Sequence, residues 1–280
     1  VTGCGYLLPG PAPKLRGVAL SAGLLLAFFA LWQGICAPVI TDHTVRLNGL
    51  PAALDGLTLV VISDLHLGNQ LGADWLAARV GQIMATEPDM ILLVGDIYEG
   101  HRRPGEEVLA TMRGLTVPLG VWGVLGNHEF YGGPEVIAAL SEDSGLTVLR
   151  NKRILLEPGL SLAGVEGHRT DRRPESGSQV LAQTLAPAAP GVTILMSHKP
   201  SQVEAAAEAG VGLMVAGHTH NGQIWPFNYL VKRYFPYLAG RYQVNGMTLL
   251  VGRGTGTWGP RMRLWLPAEI MKITLRPAHK

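Results

Sequence analysis

The chain has 280 residues, 47% of them apolar and 16% charged, with two cysteines and a formal net charge of +2. This composition excludes a disordered chain and a disulfide scaffold. The length is sufficient for one large α/β domain. Both cysteines fall in residues 1–40. The excess positive charge also lies there, since residues 41–280 contain 21 Lys and Arg and 21 Asp and Glu. A duplex-binding surface needs a cationic excess, so the sequence predicts no nucleic-acid partner, and the body has no thiolate metal ligands.

The first predicted element is a membrane anchor. Gly17–Ala37 runs 21 residues without a charge, about 32 Å as a helix, which matches a bilayer core of roughly 30 Å. Lys14 and Arg16 precede it, so the positive-inside rule predicts a single-pass protein whose body lies on the outer, periplasmic or extracellular side. A cleaved signal peptide is the alternative, which the lack of a clean A-x-A site disfavours. The chain begins with Val rather than Met, and further helices upstream would change this orientation.

The rest of the chain is predicted to be one domain over residues 57–280, joined to the anchor segment 1–40 by a linker at 41–56. Apolar runs of strand length recur along it and alternate with segments of helical spacing such as 74–86. This alternation indicates an α/β domain with sheets covered by helices. The predicted strands are Leu57–Ile62, Met90–Val94, Val121–Leu125, Leu160–Val165, Val192–Met196 and Leu213–Ala216.

Polar side chains follow five of these runs at their carboxyl ends, the edge where open α/β sheets bind ligands. Singly, each fits a turn or a helix cap, but five of the nine histidines fall in these positions. Carboxylates and neutral imidazoles together suit Mn, Fe or Zn without sulfur. The sequence therefore predicts a metal site built from Asp64 and His66, Asp96, Asn127 with His128 and Glu129, His198, and His218 with His220.

The order D-x-H, G-D, G-N-H-E, lone His and G-H-x-H resembles that of the calcineurin-like metallophosphoesterases, from about Leu57 to Leu275. SDLHLG at 63–68, GHTHNGQIWPF at 217–227 and GTGTWGPRMRL at 254–264 are similar to the membrane-associated YkuE/YaeI-like branch. The resemblance implies a four-layer α/β/β/α metallophosphoesterase sandwich. It disfavours a protein Ser/Thr phosphatase, because Asp96 is followed by Ile-Tyr-Glu-Gly and lacks the D-R-G continuation.

The same resemblance implies the roles of the residues. Two divalent metal ions are expected, with Asp96 as the bridging and catalytic carboxylate, His128 acting on the leaving group or the phosphate, and Glu129 supporting it. The implied ligands of one ion are Asp64, His66, Asp96 and His220, and those of the other are Asp96, Asn127, His198 and His218.

The implied reaction is hydrolysis of a phosphodiester or pyrophosphate bond by metal-activated hydroxide. Some relatives in the branch act on UDP-2,3-diacylglucosamine in lipid A biosynthesis, so a phosphorylated small molecule or a lipid-linked substrate, with the membrane as partner, is expected. Two alternatives remain open: a cell-envelope phosphodiesterase or phosphatase acting on a non-lipid substrate, and a tethered metal-binding module without turnover.

Three further segments carry candidate substrate contacts. The G-x-G-x-x-G at 254–259 is interpreted as a loop, since Pro260 follows where a dinucleotide-binding helix would begin. Arg253, Arg261 and Arg263 beside it, and Arg169 in the polar loop 167–178, are candidate phosphate contacts. Seven aromatic residues between 225 and 242, with Lys232 and Arg233 among them, predict either a cap over the core or a membrane-interface surface for acyl chains.

Overall fold

The computed structural model describes residues 12–68, 70–100, 102–166 and 174–278. The first element, α1 (Ala12–Ile35), is the predicted apolar helix. Its residues from Pro13 to Ile35 have a mean hydropathy of 1.9, and Ala30 is its one buried apolar residue among those described. An apolar helix that packs this little of its surface against protein is not a core helix. It is long and apolar enough to cross a membrane.

The first sheet has six strands, and three helices cover its outer face. The strands β2, β3, β4 and β5 run parallel, while the C-terminal strand β12 is antiparallel to β2 and parallel to β1. In spatial order the strands are β1 (Val39–Leu47), β12 (Glu269–Pro277), β2 (Thr58–Ile62), β3 (Met90–Val94), β4 (Val121–Val124) and β5 (Thr147–Val148). The helices on this side are α2 (Ala73–Met84), α3 (Glu106–Met112) and α5 (Pro134–Glu142), with the short α4 (Asn127–Gly132) after β4.

The second sheet also has six strands, and it faces the first. Its central strands β7, β8, β9 and β11 are parallel, with antiparallel strands at both edges. In spatial order the strands are β10 (Gly240–Val244), β11 (Met247–Val251), β9 (Leu213–Ala216), β8 (Val192–Ser197), β7 (Leu160–Val165) and β6 (Lys152–Glu157). The helices α6 (Pro174–Leu185) and α7 (Val203–Glu208) follow β7 and β8, and α8 (Asn228–Tyr234) follows β9.

Three apolar cores hold these layers together. The central core lies between the two sheets, where Val61 and Leu92 of the first pack with Ile194 and Leu213 of the second. The two outer cores lie between each sheet and its helices. Strands buried on both faces read as continuous apolar runs, which is why the six predicted strands are confirmed to within about two residues at their ends. The expected four-layer α/β/β/α sandwich is confirmed.

The predicted linker at 41–56 is instead part of the sandwich. β1 pairs with β12 over nine residues, from Val39 opposite Glu269 to Leu47 opposite Pro277, and Val45 and Leu47 enter the central core. The segment contains four polar residues in a row at 41–44, so it lacks the apolar run that marks a buried strand, and its partner lies some 230 residues away in the chain. The domain therefore begins at Val39, four residues after α1 ends, and is held close to the anchor.

Candidate metal centre

The two sheets bring their carboxyl ends to one edge of the sandwich. From the first sheet, β2, β3 and β4 deliver the segments that begin at Asp64, Asp96 and Asn127. From the second sheet, β8 and β9 deliver His198 and the His218–His220 pair. The structure thus brings together all seven predicted metal ligands and His128, although they are spread over more than 150 residues of sequence.

The backbone turns sharply as it leaves these strands. Among the described non-glycine residues twelve have a left-handed backbone conformation, and five of these are predicted metal-site residues, namely Asp64 (φ 54°), His66 (φ 47°), Asp96 (φ 49°), His218 (φ 72°) and His220 (φ 48°). Such a conformation costs about 1 kcal/mol or more per residue and concentrates at functional sites. Gly126 permits the close packing, because a Cβ there would lie 2.1 Å from the Asp96 Oδ1. This strain, spread over five chemistry-bearing residues, identifies the edge as the functional site.

Asp64, His66 and His220 form the first group of candidate ligands. The Nε2 atoms of His66 and His220 are 3.1 Å apart, and the Nε2 of His220 is 3.5 Å from the Asp64 Oδ1. Two nitrogens that bind one ion at about 2.0–2.1 Å lie about 3 Å apart, so this spacing fits a shared metal ion. Burial holds the pKa of His220 well below its usual value, and the neutral imidazole is the form that binds a metal.

Asp96, His198 and His218 form the second group. The Nδ1 of His198 is 2.8 Å from the Val94 carbonyl, which turns its Nε2 toward the site, 3.1 Å from both the Asp96 Oδ2 and the His218 Nδ1. Burial lowers the pKa of His218 to about 2. Burial also opposes protonation of His198, but the Asp96 carboxylate outweighs it and raises the pKa of His198 to about 9. A bound cation would displace that proton.

Asp96 belongs to both halves of the site. It groups with His198 and His218 on one side and with His66 and His128 on the other. The side-chain oxygen of Asn127 is buried beside it and accepts no hydrogen bond from any residue that the structure describes. A buried polar oxygen without a partner costs about 1–3 kcal/mol unless something satisfies it. The donor set of carboxylate, amide oxygen and imidazole therefore fits two divalent cations with Asp96 between them.

Glu129 fastens the turns that carry these residues. Its buried carboxylate accepts the backbone N–H groups of Asp96 (3.0 Å), Ile97 (2.7 Å), Tyr98 (2.9 Å) and Gly126 (2.7 Å). These bonds join the loop after β3 to the start of α4. The expectation that Glu129 supports the site agrees with this position, because it holds Asp96 and the α4 residues without reaching the cavity.

Glu99 is a site residue that the sequence reasoning missed. Its Oε2 is 3.1 Å from the Nδ1 of His66 and its Oε1 is 3.8 Å from the Nδ1 of His128. A carboxylate on the far nitrogen of a metal-binding histidine fixes the tautomer and the orientation of the ring. The one available signal was its place three residues after Asp96, and glutamates near a strand end are too common to carry that inference.

The candidate arginines do not line the cavity. Arg253 is paired with Glu269 at 3.1 Å, and the carbonyl of Arg261 lies against α1, where a Cβ on Gly34 would be 2.3 Å from it. Arg263 is fully buried and donates hydrogen bonds to the backbone carbonyls of residues 253, 254, 256 and 266, so it braces the loop 253–266. Arg169 lies outside the described residues.

A cavity of about 550 Å³ opens over the metal-ligand groups. Part of its lining consists of metal-site residues, among them His66, Asp96, His128 and His218. Six apolar residues, which we call the apolar wall, also line it: Ile224, Phe227, Val231, Phe235, Trp258 and Pro260. The cavity is larger than a phosphate group needs. This mixed lining therefore favours a molecule with an anionic part and an apolar part.

Comparisons with known proteins agree with this site. Residues 57–222 match the calcineurin-like phosphoesterase family. A metallophosphoesterase of Helicobacter pylori is 30% identical over 260 residues, which cover 91% of this chain and 69% of the relative. The metallophosphoesterase YkuE of Bacillus subtilis is 29% identical over 255 residues, covering 85% and 86%.

Two further similarities concern the membrane and the fold. A transmembrane protein with a metallophosphoesterase domain from Danio rerio is 30% identical over 276 residues, covering 93% of this chain and 62% of the relative. The crystal structure of a dimetal phosphatase from Danio rerio has a TM-score of 0.51 and 16% identity, covering 79% of this chain and 93% of that one. At this identity the likeness concerns the fold.

The chain belongs to the calcineurin-like phosphoesterase family. It is a metal-dependent phosphoesterase, a hydrolase, and the residues gathered at the sheet edge are the candidate ligands of the dinuclear metal centre that this family uses. The resemblance found in the motifs, including the similarity to YkuE, is confirmed. The apolar helix and the transmembrane relative indicate membrane association.

Proposed function

We propose that this protein is a membrane-anchored dimetal phosphohydrolase that cleaves a phosphodiester or diphosphate bond in an amphiphilic substrate of the UDP-2,3-diacylglucosamine type. The observation that carries the proposal is the mixed lining of the cavity, which combines metal ligands with the six residues of the apolar wall. Phosphate oxygens suit the metal ligands, and acyl or other apolar groups suit the apolar wall. A substrate without an apolar part would make no contact that uses the apolar wall.

The proposed ligands of one ion are Asp64, His66, Asp96 and His220, and those of the other are Asp96, Asn127, His198 and His218. Bound divalent ions would supply this site with a nucleophile, since they lower the pKa of water to about 7, and with positive charge for the phosphoryl oxygens. The manganese, iron or zinc that the donor set accepts would each serve.

The residues of the chain supply orientation and a proton. The His128 ring lies on the cavity wall beside His66, with ring centroids 4.8 Å apart. Its backbone N–H donates to the Asp96 Oδ1 at 2.9 Å, which fixes the ring relative to that carboxylate. A histidine in this position can give a proton to the leaving alkoxide. The apolar wall keeps water away from the rest of the substrate.

The proposal predicts a preference among substrates. In the presence of Mn²⁺, the purified full chain should hydrolyse a diacylglucosamine-linked nucleoside diphosphate with a kcat/KM at least about tenfold above that for an aryl phosphomonoester, since each tenfold step needs only about 1.4 kcal/mol of contact with the apolar wall. Val231→Asp should reduce hydrolysis of the lipid and leave a small aryl phosphodiester unaffected.

Each alternative gives a different result in this assay. Equal kcat/KM values for the lipid and the monoester would overturn the amphiphilic substrate and favour a non-lipid phosphodiester of the cell envelope. No metal-dependent turnover of the lipid, the diester or the monoester would overturn catalysis and leave a tethered metal-binding module.

We also propose that the catalytic domain lies on the outer side of the membrane, because Lys14 and Arg16 precede the apolar helix. A phosphatase reporter that is active only outside the cytoplasm, fused after Lys280, should then be active. Activity of a cytoplasm-specific reporter at the same position would reverse the orientation and would give the domain access to cytoplasmic nucleotide-linked lipids.

A further inference from the structure

Exposed apolar side chains concentrate beside the mouth of the cavity. Outside α1, the described residues include eleven large apolar side chains that are exposed, and seven of them lie in the α8 segment and the adjoining loop 258–265. We call these seven the aromatic surface. Its members are Trp225, Phe227, Tyr229, Leu230, Tyr234, Trp258 and Trp265. Apolar side chains grouped in this way mark a protein or membrane interaction site, unlike single exposed ones.

Direct contacts join the two segments into one surface. The rings of Trp225 and Trp265 are in edge contact, with centroids 5.0 Å apart. The side chain of Gln223 accepts the Trp258 N–H at 2.9 Å and donates to the Trp258 carbonyl at 2.8 Å. These contacts hold the aromatic surface together, and the loops that carry it also border the metal centre.

The loop 258–265 is also fastened to the anchor. The Arg263 N–H donates to the Ala30 carbonyl at 2.9 Å, and Ala30 is buried by this contact. Gly34, one turn further on, lies so close that a Cβ would be 2.3 Å from the Arg261 carbonyl. Because α1 is long and apolar enough to span the bilayer and its last turns lie on this loop, the loop lies at the boundary between membrane and water.

We infer that the aromatic surface is a membrane-docking surface, which rests in the headgroup region of the bilayer that α1 spans. Tyr and Trp are the side chains favoured at this depth. Lys232 and Arg233 are exposed on α8 among the aromatic residues, and their charges suit anionic phospholipids. The partner is thus a bilayer that contains anionic lipid.

Docking has a consequence for the cavity. Phe227 and Trp258 belong both to the aromatic surface and to the apolar wall of the cavity. An amphiphile could then move from the bilayer to the metal centre while its apolar part stays in contact with protein or lipid. This consequence rests on the proposed function, whereas the docking itself depends only on the surface and the anchor.

Leu155 provides a matched control for the test. It is 64% exposed on the edge strand β6, and Leu230 on α8 is 60% exposed. The full chain, with Cys4 and Cys36 replaced by Ser, would carry a single environment-sensitive fluorophore at Leu230→Cys or at Leu155→Cys. Both proteins would be reconstituted in nanodiscs of phosphatidylcholine and phosphatidylglycerol that contain a lipid-bound quencher.

The label at position 230 should shift to the blue and be quenched by the lipid-bound quencher, while the label at position 155 should report water. Equal quenching and equal emission at the two positions would overturn the inference. A label at 230 that is shielded from water but not quenched by lipid would also overturn it, because a protein contact would then cover the surface.

A second measurement separates docking from catalysis. Leu230→Asp should lower hydrolysis of a vesicle-embedded substrate about tenfold, the factor expected when one buried Leu is lost, while turnover of a soluble aryl phosphodiester stays unchanged. Leu155→Asp should change neither rate. An unchanged vesicle rate in Leu230→Asp would count against docking, whereas failure of every variant and of the wild type on the soluble diester would refute the proposed function alone.

Discussion

Asp96→Asn is expected to lower kcat/KM by about a thousandfold or more and to reduce the bound metal by at least one ion per chain. The carboxylate lies between the two ligand groups, and its Oδ2 is 3.1 Å from the Nε2 of His198. Asn has the same shape and keeps an acceptor for the His128 backbone N–H, but it removes the negative charge that two bound ions would share. Losing an ion removes several kcal/mol of transition-state stabilisation, and each 1.36 kcal/mol is a factor of about ten.

Metal content per chain and the Mn²⁺-supported rate on an aryl phosphodiester measure this effect. Asp74→Asn is the matched control, because Asp74 is exposed in the first turn of α2. Glu99→Gln should give an intermediate result, with metal affinity lowered about ten- to a hundredfold, since it removes only the carboxylate that orients His66. Full metal content and wild-type turnover in Asp96→Asn would refute the bridging role.

His128→Ala is expected to lower the rate by about a hundred- to ten-thousandfold while both metal ions stay bound. The ring of His128 lines the cavity and lies beside His66, with the two ring centroids 4.8 Å apart. The loss should depend on the leaving group. An aryl ester with a good leaving group needs little protonation, so its rate should fall much less than that of an alkyl ester.

The comparison of aryl and alkyl esters in wild type and His128→Ala measures this difference. His43→Ala is the matched control, because His43 lies on β1, away from the metal centre. An equal loss for both leaving groups would show that His128 binds the phosphate and does not protonate the leaving group. Loss of metal from His128→Ala would instead place it among the ligands.

The sequence was sufficient to predict the central strands and the polar residues that the structure brings together at the sheet edge. Strands such as Met90–Val94 and Val192–Ser197 are buried along their whole length, so each appears as an unbroken apolar run. The chemistry follows directly at the strand ends, where Asp96 and His198 stand. Because the polar residue directly follows the apolar run, both the strand and the candidate ligand can be predicted from the sequence alone.

Two features were not readable in this way. The segment 41–56 was predicted as a linker because it begins with a polar stretch, and only the pairing with β12 shows that its first part is the strand β1. Arg263 was considered as a phosphate contact because an arginine beside a glycine-rich loop suggests one. Its complete burial and its bonds to four backbone carbonyls are consequences of how the loop 253–266 folds back on itself.

The sequence by itself determined the family and, through that resemblance, the four-layer class, and it predicted which residues gather at the sheet edge, because each stands in a short motif directly after an apolar strand. Only the tertiary structure decided which residues support them and where the cavity opens. Glu99 reaches His66 through space, and the loop 258–265 meets α1 across more than 200 residues of chain. Contacts between distant segments depend on how the elements pack, so they cannot be predicted from local patterns in the sequence.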